Sequence, residues 1–162
     1  MKLKDEIIMR QRVPGLSKSS LLRFVAEVRR VARLPMPVNV LLTGDEQLRR
    51  LNREFRGKDK STDVLSFPSA EVAGETFAGD LAISVAMAAR NAKPLGHSTA
   101  AEVKILLLHG VLHLAGYDHE KDNGRMARKE LQLRRRLKLP VGLIERTETA
   151  RRKPARRRAA TP

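Results

Sequence analysis

The chain has 162 residues, of which 33 are Lys or Arg and 18 are Asp or Glu, so its formal net charge is +15. This length favours a single domain, and an apolar fraction of 41% is enough to form a core. The absence of cysteine excludes a disulfide framework, a thiolate metal site and a thiol nucleophile. Any metal ion would therefore have to be bound by His, Asp or Glu.

The composition also indicates where the protein acts and on what. Residues 1–12 mix charges with apolar residues and do not form a secretory signal, and the longest aliphatic run, Ile105–Leu108, is far too short to cross a membrane. We expect a cytoplasmic protein without a membrane partner. The excess of Lys and Arg favours a polyanionic partner, because their binding to phosphates releases counterions. With 3% aromatic residues, an aromatic platform for base stacking is not expected.

The positive charge is divided between two parts of the chain. Residues 146–162 contain seven Lys or Arg and one Glu but no large apolar side chain. They are predicted to form a disordered basic tail with a net charge of +6. Residues 1–145 form the predicted folded domain and carry the remaining +9.

The first part of the domain contains two predicted helices with a strand between them. Apolar residues recur at helical spacing after Ser17–Ser20, and Pro35 ends this first helix. Val38–Leu42 is predicted to be a strand. The second helix begins at Asp45 and ends at Gly57.

The middle of the chain alternates loops with short strands. Lys58–Asp63 is predicted to be a loop, and Val64–Phe67 a strand that ends at Pro68. Gly79–Val85 has the composition of another strand. Asn91–Ser98 is predicted to be rich in turns.

Two further helices complete the predicted domain. Thr99 and Glu102 have the spacing of a capping box, and the helix that they begin runs to about Ala115 and is apolar on most sides, so it should be central and buried. The last helix is predicted over about Asn123–Leu139. We therefore expect a single small α+β domain, with a mixed sheet of mostly short strands packed on helices.

Three of the four histidines, His109, His113 and His119, fall within eleven residues. Residues four apart on a helix differ by about 40° in azimuth, so His109 and His113 project from one face and can bind a single ion. Gly116 lies where a turn with positive φ would end the helix, and this turn could bring His119 to the same ion. Because neutral imidazoles are costly to bury without partners, the pattern favours a catalytic zinc site over three unrelated polar residues.

The histidine spacing equals that of the metzincin proteases, H-E-x-x-H-x-x-G-x-x-H, but Gly110 replaces their catalytic glutamate, which argues against peptide hydrolysis. Asp118 is the nearest acid, and it could either handle a proton or be a solvated turn carboxylate. Tyr117 is interpreted as a packing residue. His97 precedes His109 by twelve residues, ~18 Å along a helix, so it is a poor candidate for a fourth ligand.

A second candidate segment is the basic loop after the second predicted helix, with Arg56, Lys58 and Lys60. Charged loops are usually only solvated. If this loop lies against the metal, however, Arg56 could bind a phosphate with two hydrogen bonds and stabilise charge on the transferred phosphoryl group. Lys58 and Lys60 are then candidates for RNA binding.

Together these segments resemble the YbeY family of bacterial single-strand-specific endoribonucleases, which are implicated in rRNA maturation and ribosome quality control. The match covers H-G-x-L-H-L-x-G-Y-D-H at 109–119, L-N-x-x-F-R-G-K-D-x-x-T-D-V-L-S-F-P at 51–68 and G-D-x-x-I-S at 79–84. The resemblance implies that His109, His113 and His119 hold one zinc ion, and that Arg56 acts with His113 at the active site. It also implies maturation of the 3′ end of 16S rRNA and contacts with the small ribosomal subunit.

The predicted function is a zinc-dependent endoribonuclease that acts on single-stranded RNA and rRNA precursor, without a small-molecule substrate. Activated water could attack phosphorus directly, or the neighbouring ribose 2′-hydroxyl could be deprotonated. The alternative is a ribosome-associated assembly factor that binds RNA and whose metal is mainly structural. A closed site with four protein ligands would favour this alternative, whereas an open coordination position favours catalysis.

Overall fold

The computed structural model of the chain describes residues 3–69, 77–118 and 120–140, so His119 and the predicted tail lie outside the described residues. The elements in this part of the chain are β1 (Glu6–Met9), α1 (Lys18–Ala32), β2 (Val38–Thr43), α2 (Asp45–Arg56), β3 (Val64–Pro68), β4 (Gly79–Ser84), α3 (Val85–Leu95), α4 (Thr99–Leu114) and α5 (Arg125–Arg136). This confirms the predicted α+β class. Among the described helices, none has the length and apolar character needed to span a membrane.

The four strands form one mixed sheet in the order β1-β2-β4-β3. β1, β2 and β4 are parallel, and β3 is antiparallel to β4. The first strand, β1, is absent from the sequence prediction. It is four residues long, its Ile7 is buried and its Ile8 is 56% exposed, so it lacks the apolar signal of the inner strands.

The two faces of the sheet are covered unequally. Residues that alternate along β2 and β4 point to opposite faces. On one face, Val40 and Leu81 pack in the main core with α1, α4 and α5. On the other face, Leu48 of α2 packs on Ala82 in a smaller cluster. α4 is buried along most of its length, as predicted, and this fixes it against the sheet.

The region around α3 differs from the sequence prediction. The predicted strand Gly79–Val85 ends at Ser84, whose hydroxyl caps α3 by accepting a backbone hydrogen bond. Helix then continues to Leu95, through the first half of the segment Asn91–Ser98 that was predicted to be rich in turns. Alanines favour this helix, which ends at Leu95, one residue after Pro94. Pro94 has no backbone N–H and therefore removes one hydrogen bond from the last turn.

The predicted capping box of α4 is wrong. The N-cap is Ser98, whose hydroxyl accepts a backbone hydrogen bond at 3.0 Å, and Thr99 is already helical. Glu102 is fully buried, and its carboxylate lies 2.5 Å from Nε2 of His97. A buried carboxylate requires a partner. For Glu102 a partner is the side chain of His97, which precedes the helix.

The last helix is shorter than the predicted Asn123–Leu139. Asn123 and Gly124 have φ values of 53° and 82°, which are incompatible with a right-handed helix, so α5 begins at Arg125. Met126 and Leu133 are buried on its inner face.

Candidate metal centre and cleft

His109 and His113 lie on the last two turns of α4 and face each other. Their Nε2 atoms are 3.2 Å apart, and their ring centroids are separated by 4.8 Å at an interplanar angle of 77°. This confirms the prediction that the two side chains project from one face of the helix.

The other ring nitrogen of each histidine is held by an acceptor. His113 Nδ1 lies 3.1 Å from the carbonyl oxygen of Tyr117, and because a carbonyl can only accept, Nδ1 is the donor. His109 Nδ1 lies 3.3 Å from Oε1 of Glu130, which orients that ring in the same way. Such partners are typical of metal-ligating histidines, because they fix the tautomer that leaves a lone pair on Nε2.

The distance between the two Nε2 atoms fits a shared metal ion. Two nitrogen lone pairs directed at each other at 3.2 Å repel, unless a cation lies close to both. Ligands at ~2.0–2.1 Å from a tetrahedral zinc ion are separated by about 3.3 Å. The donor set and its spacing therefore fit zinc, with His109 and His113 as two of its ligands.

Glu130 is a site residue that the sequence reasoning did not identify. It is 1% exposed and lies on α5, 21 residues after His109. The available signal was its helical spacing from Met126 and Leu133, four residues after the first and three before the second, which places it on the same face as these two apolar residues. An acidic residue on the inward face of a basic helix needs a cationic or hydrogen-bonding partner.

The chain turns back sharply after α4, as predicted. Gly116 adopts a φ of 98°, and the backbone N–H of Tyr117 donates to the carbonyl of Leu112 at 3.0 Å. This turn brings the Tyr117 carbonyl to the ring of His113. His119 lies outside the described residues, and among those described no group of three or more His, Cys, Asp or Glu could hold a metal ion. The third ligand therefore stays a prediction.

The histidine pair opens into a cleft of about 430 Å³, which we call the histidine cleft. Its lining residues are Arg56, Asp63, Val64, Leu65, Ser66, Pro68, His109, His113, Gly116, Tyr117 and Asp118. Asp118 therefore lies at the site, and its Oδ1 also accepts the backbone N–H of Glu120 at 3.0 Å. Both interpretations of this carboxylate, as a turn residue and as a proton-handling group, are compatible with its position.

The structure places Arg56 in the same cleft as the histidines. It is the last residue of α2, and its Nη2 donates to the carbonyl of Ser66 in β3 at 2.7 Å. Its guanidinium carbon lies 5.9 Å from the ring centroid of Phe67. Lys58 lies outside the cleft in a neighbouring groove, and Lys60 lines neither of the two.

Asp45, the first residue of α2, helps to fix the position of this helix and therefore of Arg56 at its other end. Asp45 accepts a hydrogen bond from the Ser84 hydroxyl at 2.6 Å and one from Arg90 at 2.7 Å. The Ser84 hydrogen bond is the main reason why the pKa of Asp45 is lowered, and Arg90 acts in the same direction. The carboxylate thus joins α2 to the end of β4 and to α3.

Gly110 allows α4 to pack tightly against the sheet. A Cβ atom at this position would lie 2.7 Å from Cδ2 of Leu81 and 3.3 Å from Oγ of Ser66. Leu81 is 1% exposed and has little room to move. A metzincin-type glutamate at this position would therefore collide with the sheet, which strengthens the argument against peptide hydrolysis.

Comparison with known proteins identifies the family of the chain. The Endoribonuclease YbeY family model matches residues 5–138. Proteins named Endoribonuclease YbeY from Koribacter versatilis and Solibacter usitatus are 52% and 47% identical to this chain, over 94% and 90% of it and 98% and 96% of their own lengths. The solution structure of TM1509 from Thermotoga maritima is 29% identical, with a TM-score of 0.52 over 80% of this chain and 85% of that one. The chain belongs to the YbeY family of endoribonucleases.

Proposed function

We propose that this chain is a zinc-dependent endoribonuclease that cleaves single-stranded RNA in the cytoplasm, with the small-subunit rRNA precursor as its substrate. One observation carries the proposal. The Nε2 atoms of His109 and His113 lie 3.2 Å apart, and both histidines line the histidine cleft. Arg56, at the end of α2, lines the same cleft. The family of the chain supports the substrate class.

In this proposal His109, His113 and His119 hold one zinc ion. The return of the chain at Tyr117, whose carbonyl lies beside the ring of His113, supports His119 as the third ligand, because His119 follows Tyr117 by only two positions in the sequence. When bound, the ion supplies a Lewis acid that polarises a phosphoryl oxygen and activates water.

Arg56 binds the scissile phosphate in this proposal. The guanidinium has five N–H donors, and the hydrogen bond to Ser66 fixes its position with one of them. The remaining donors can form paired hydrogen bonds to phosphate oxygens and stabilise the charge that develops during transfer. Lys58, in the neighbouring groove, adds attraction for the phosphate backbone.

Glu130 and the Tyr117 carbonyl keep the two imidazoles in the ligating orientation. Each of these acceptors takes a hydrogen bond from an Nδ1–H group, so the Nε2 lone pairs of His109 and His113 are directed toward the space between the two rings. Burial of Glu130 strengthens its interaction with His109, since few water molecules compete for the carboxylate.

The alternative, a ribosome-associated factor with a structural metal, is less well supported. Structural zinc sites are usually closed by four protein ligands. His97, the remaining histidine, is bound to Glu102 near the amino-terminal end of α4. The open cleft beside His109 and His113 leaves room for a substrate phosphate instead.

Cleavage of small-subunit rRNA precursor by the full chain tests the proposal. We expect the wild type to cut single-stranded RNA, and His113→Ala to lose at least about 100-fold in rate, since it loses a metal ligand. The control is His97→Gln, which should keep its activity. Full cleavage by metal-free His113→Ala would overturn the proposal, and a metal-loaded but inactive wild type would favour the structural alternative.

A further inference from the structure

A larger depression, of about 1,030 Å³, lies on the sheet face that carries α2, and we call it the sheet groove. The register places two rows of residues across this face, Glu6-Asn39-Asp80-Phe67 and Ile8-Leu41-Ala82-Leu65. α2 covers one end of these rows: its Leu48 packs with Leu65 and Ala82, while Leu41 and Phe67 are only partly buried beside them. The groove shares Arg56, Ser66 and Pro68 with the histidine cleft, so the two form a continuous surface.

The sheet groove exposes an unusual amount of apolar surface. Phe55 is 66% exposed and Ile8 is 56% exposed, and both line the groove. The rings of Phe55 and Phe67 are in contact in an edge-type arrangement, with centroids 5.4 Å apart at an interplanar angle of 60°. This contact holds the Phe55 ring in place while most of its surface faces solvent. An overall aromatic content of 3% conceals this local cluster.

The polar residues of the sheet groove fit a single strand of nucleic acid. Arg10, Arg56 and Lys58 line it and suit phosphates. On the sheet itself, Asn39 donates to Asp80 at 3.0 Å, and these polar side chains suit the hydrogen-bonding edges of bases. The groove thus offers separate groups for the ring faces, the edges and the phosphates of unpaired nucleotides.

We propose that the sheet groove binds nucleotides that flank the scissile phosphate of a single-stranded RNA, with one base stacked on Phe55. The inference rests on the proposed function for the position of that phosphate, at Arg56 in the histidine cleft. A base in a duplex cannot reach Phe55, because its faces are already stacked on its neighbours. The groove therefore gives the enzyme a preference for single strands.

Binding of a fluorescent single-stranded RNA oligonucleotide with non-cleavable linkages to the full chain as purified tests this proposal. We expect Phe55→Ala to bind about tenfold more weakly, the order expected for the loss of one stacked base. Phe55→Leu, which keeps an apolar side chain but no ring, should also be weakened, whereas Phe55→Tyr should bind like the wild type. Leu95→Ala removes another exposed apolar side chain, 45% exposed and outside the residues that line the groove, and serves as the control.

The outcomes separate this proposal from the proposed function. If the wild type binds and cleaves RNA but Phe55→Ala and Phe55→Leu bind equally well, the groove proposal is wrong, and its apolar surface serves a protein partner. If Phe55→Ala binds RNA more weakly, yet the wild type has no nuclease activity, the groove is supported while the endoribonuclease proposal fails. A dinucleotide that fills only the histidine cleft should bind the wild type and Phe55→Ala alike.

Discussion

Two histidine–glutamate pairs lie at opposite ends of α4, His97–Glu102 and His109–Glu130. They differ in which ring nitrogen of the histidine contacts the carboxylate. Before the amino-terminal turn of α4, Nε2 of His97 lies 2.5 Å from Glu102. At its carboxyl-terminal end, Nδ1 of His109 lies 3.3 Å from Glu130, and Nε2 points to His113 instead. The same two residue types therefore form a partly buried hydrogen bond at one end and, in the proposed function, orient a metal ligand at the other.

The difference shows that residue type and burial do not identify a metal ligand by themselves. Both glutamates are buried, at 0% and 1% exposure. The first pair uses the histidine nitrogen that could bind a metal, and no second imidazole faces it among the described contacts. The second pair fixes the tautomer and leaves Nε2 for an ion. Substitutions at the first pair should affect stability, and those at the second should affect metal binding and catalysis.

Arg56→Ala tests whether the carboxyl-terminal end of α4 is part of an active site rather than a metal site alone. We expect turnover to fall by about 100-fold, as for the loss of one donor to developing charge, while the zinc content is unchanged. Arg53→Ala is the matched control, because Arg53 lies on the same helix with its side chain 57% exposed. Unchanged turnover in Arg56→Ala would remove this residue from the site.

Matched glutamine substitutions compare the two pairs directly. Glu130→Gln should weaken zinc binding by at least about tenfold, the usual effect of removing an orienting partner of a ligand. Glu102→Gln should leave zinc affinity unchanged and lower the thermal midpoint, since it changes the buried partner of a hydrogen bond. Zinc titration and thermal unfolding of both variants are the measurements. An equal loss of zinc affinity in both would contradict the distinction.

Gly110→Ala tests how tightly the site end of α4 is fixed to the sheet. The added methyl group meets Leu81 at 2.7 Å, so we expect the free energy of unfolding to fall by about 1–3 kcal/mol. Chemical denaturation measures this change. Ala101→Gly, at a half-buried position near the opposite end of the helix, should show only the smaller propensity effect of about 1 kcal/mol. Unchanged stability in Gly110→Ala would show that the packing tolerates a side chain there.

Removal of residues 146–162 should have the smallest effect, because this basic segment takes part in neither pair. We expect a moderate loss of RNA affinity at low salt that disappears as salt is added, since the segment carries a net charge of +6. Turnover at saturating RNA should be unchanged. A loss of turnover under those conditions would show that the tail contributes to the active site.

The sequence was sufficient to predict the parts of the site that depend on local geometry. The i, i+4 spacing placed His109 and His113 on one face, and Gly116 predicted the turn, because helix periodicity and glycine conformation are local properties. Arg56 was a conditional prediction, since its place in the cleft depends on how β3 packs beside α4. Glu130 was missed because its partner His109 lies 21 residues away in the sequence and because most charged residues of α5 are basic and suggest a solvated helix.

The errors in the fold have a similar origin. β1 is too short and too exposed on one side to have a strong periodic signal, and only pairing with β2 defines it. Thr99 and Glu102 have the spacing of a capping box, but burial of Glu102 beside His97 overrides that local pattern. In both cases a tertiary contact decides the structure.

The zinc content of purified His113→Ala and His97→Gln, measured per folded chain beside the wild type, tests the central claim most directly. We predict one zinc ion per chain in the wild type and in His97→Gln, and a large loss of zinc in His113→Ala with the fold retained by circular dichroism. Wild-type zinc content in His113→Ala, or its loss in His97→Gln, would contradict the assignment of the two histidine–glutamate pairs.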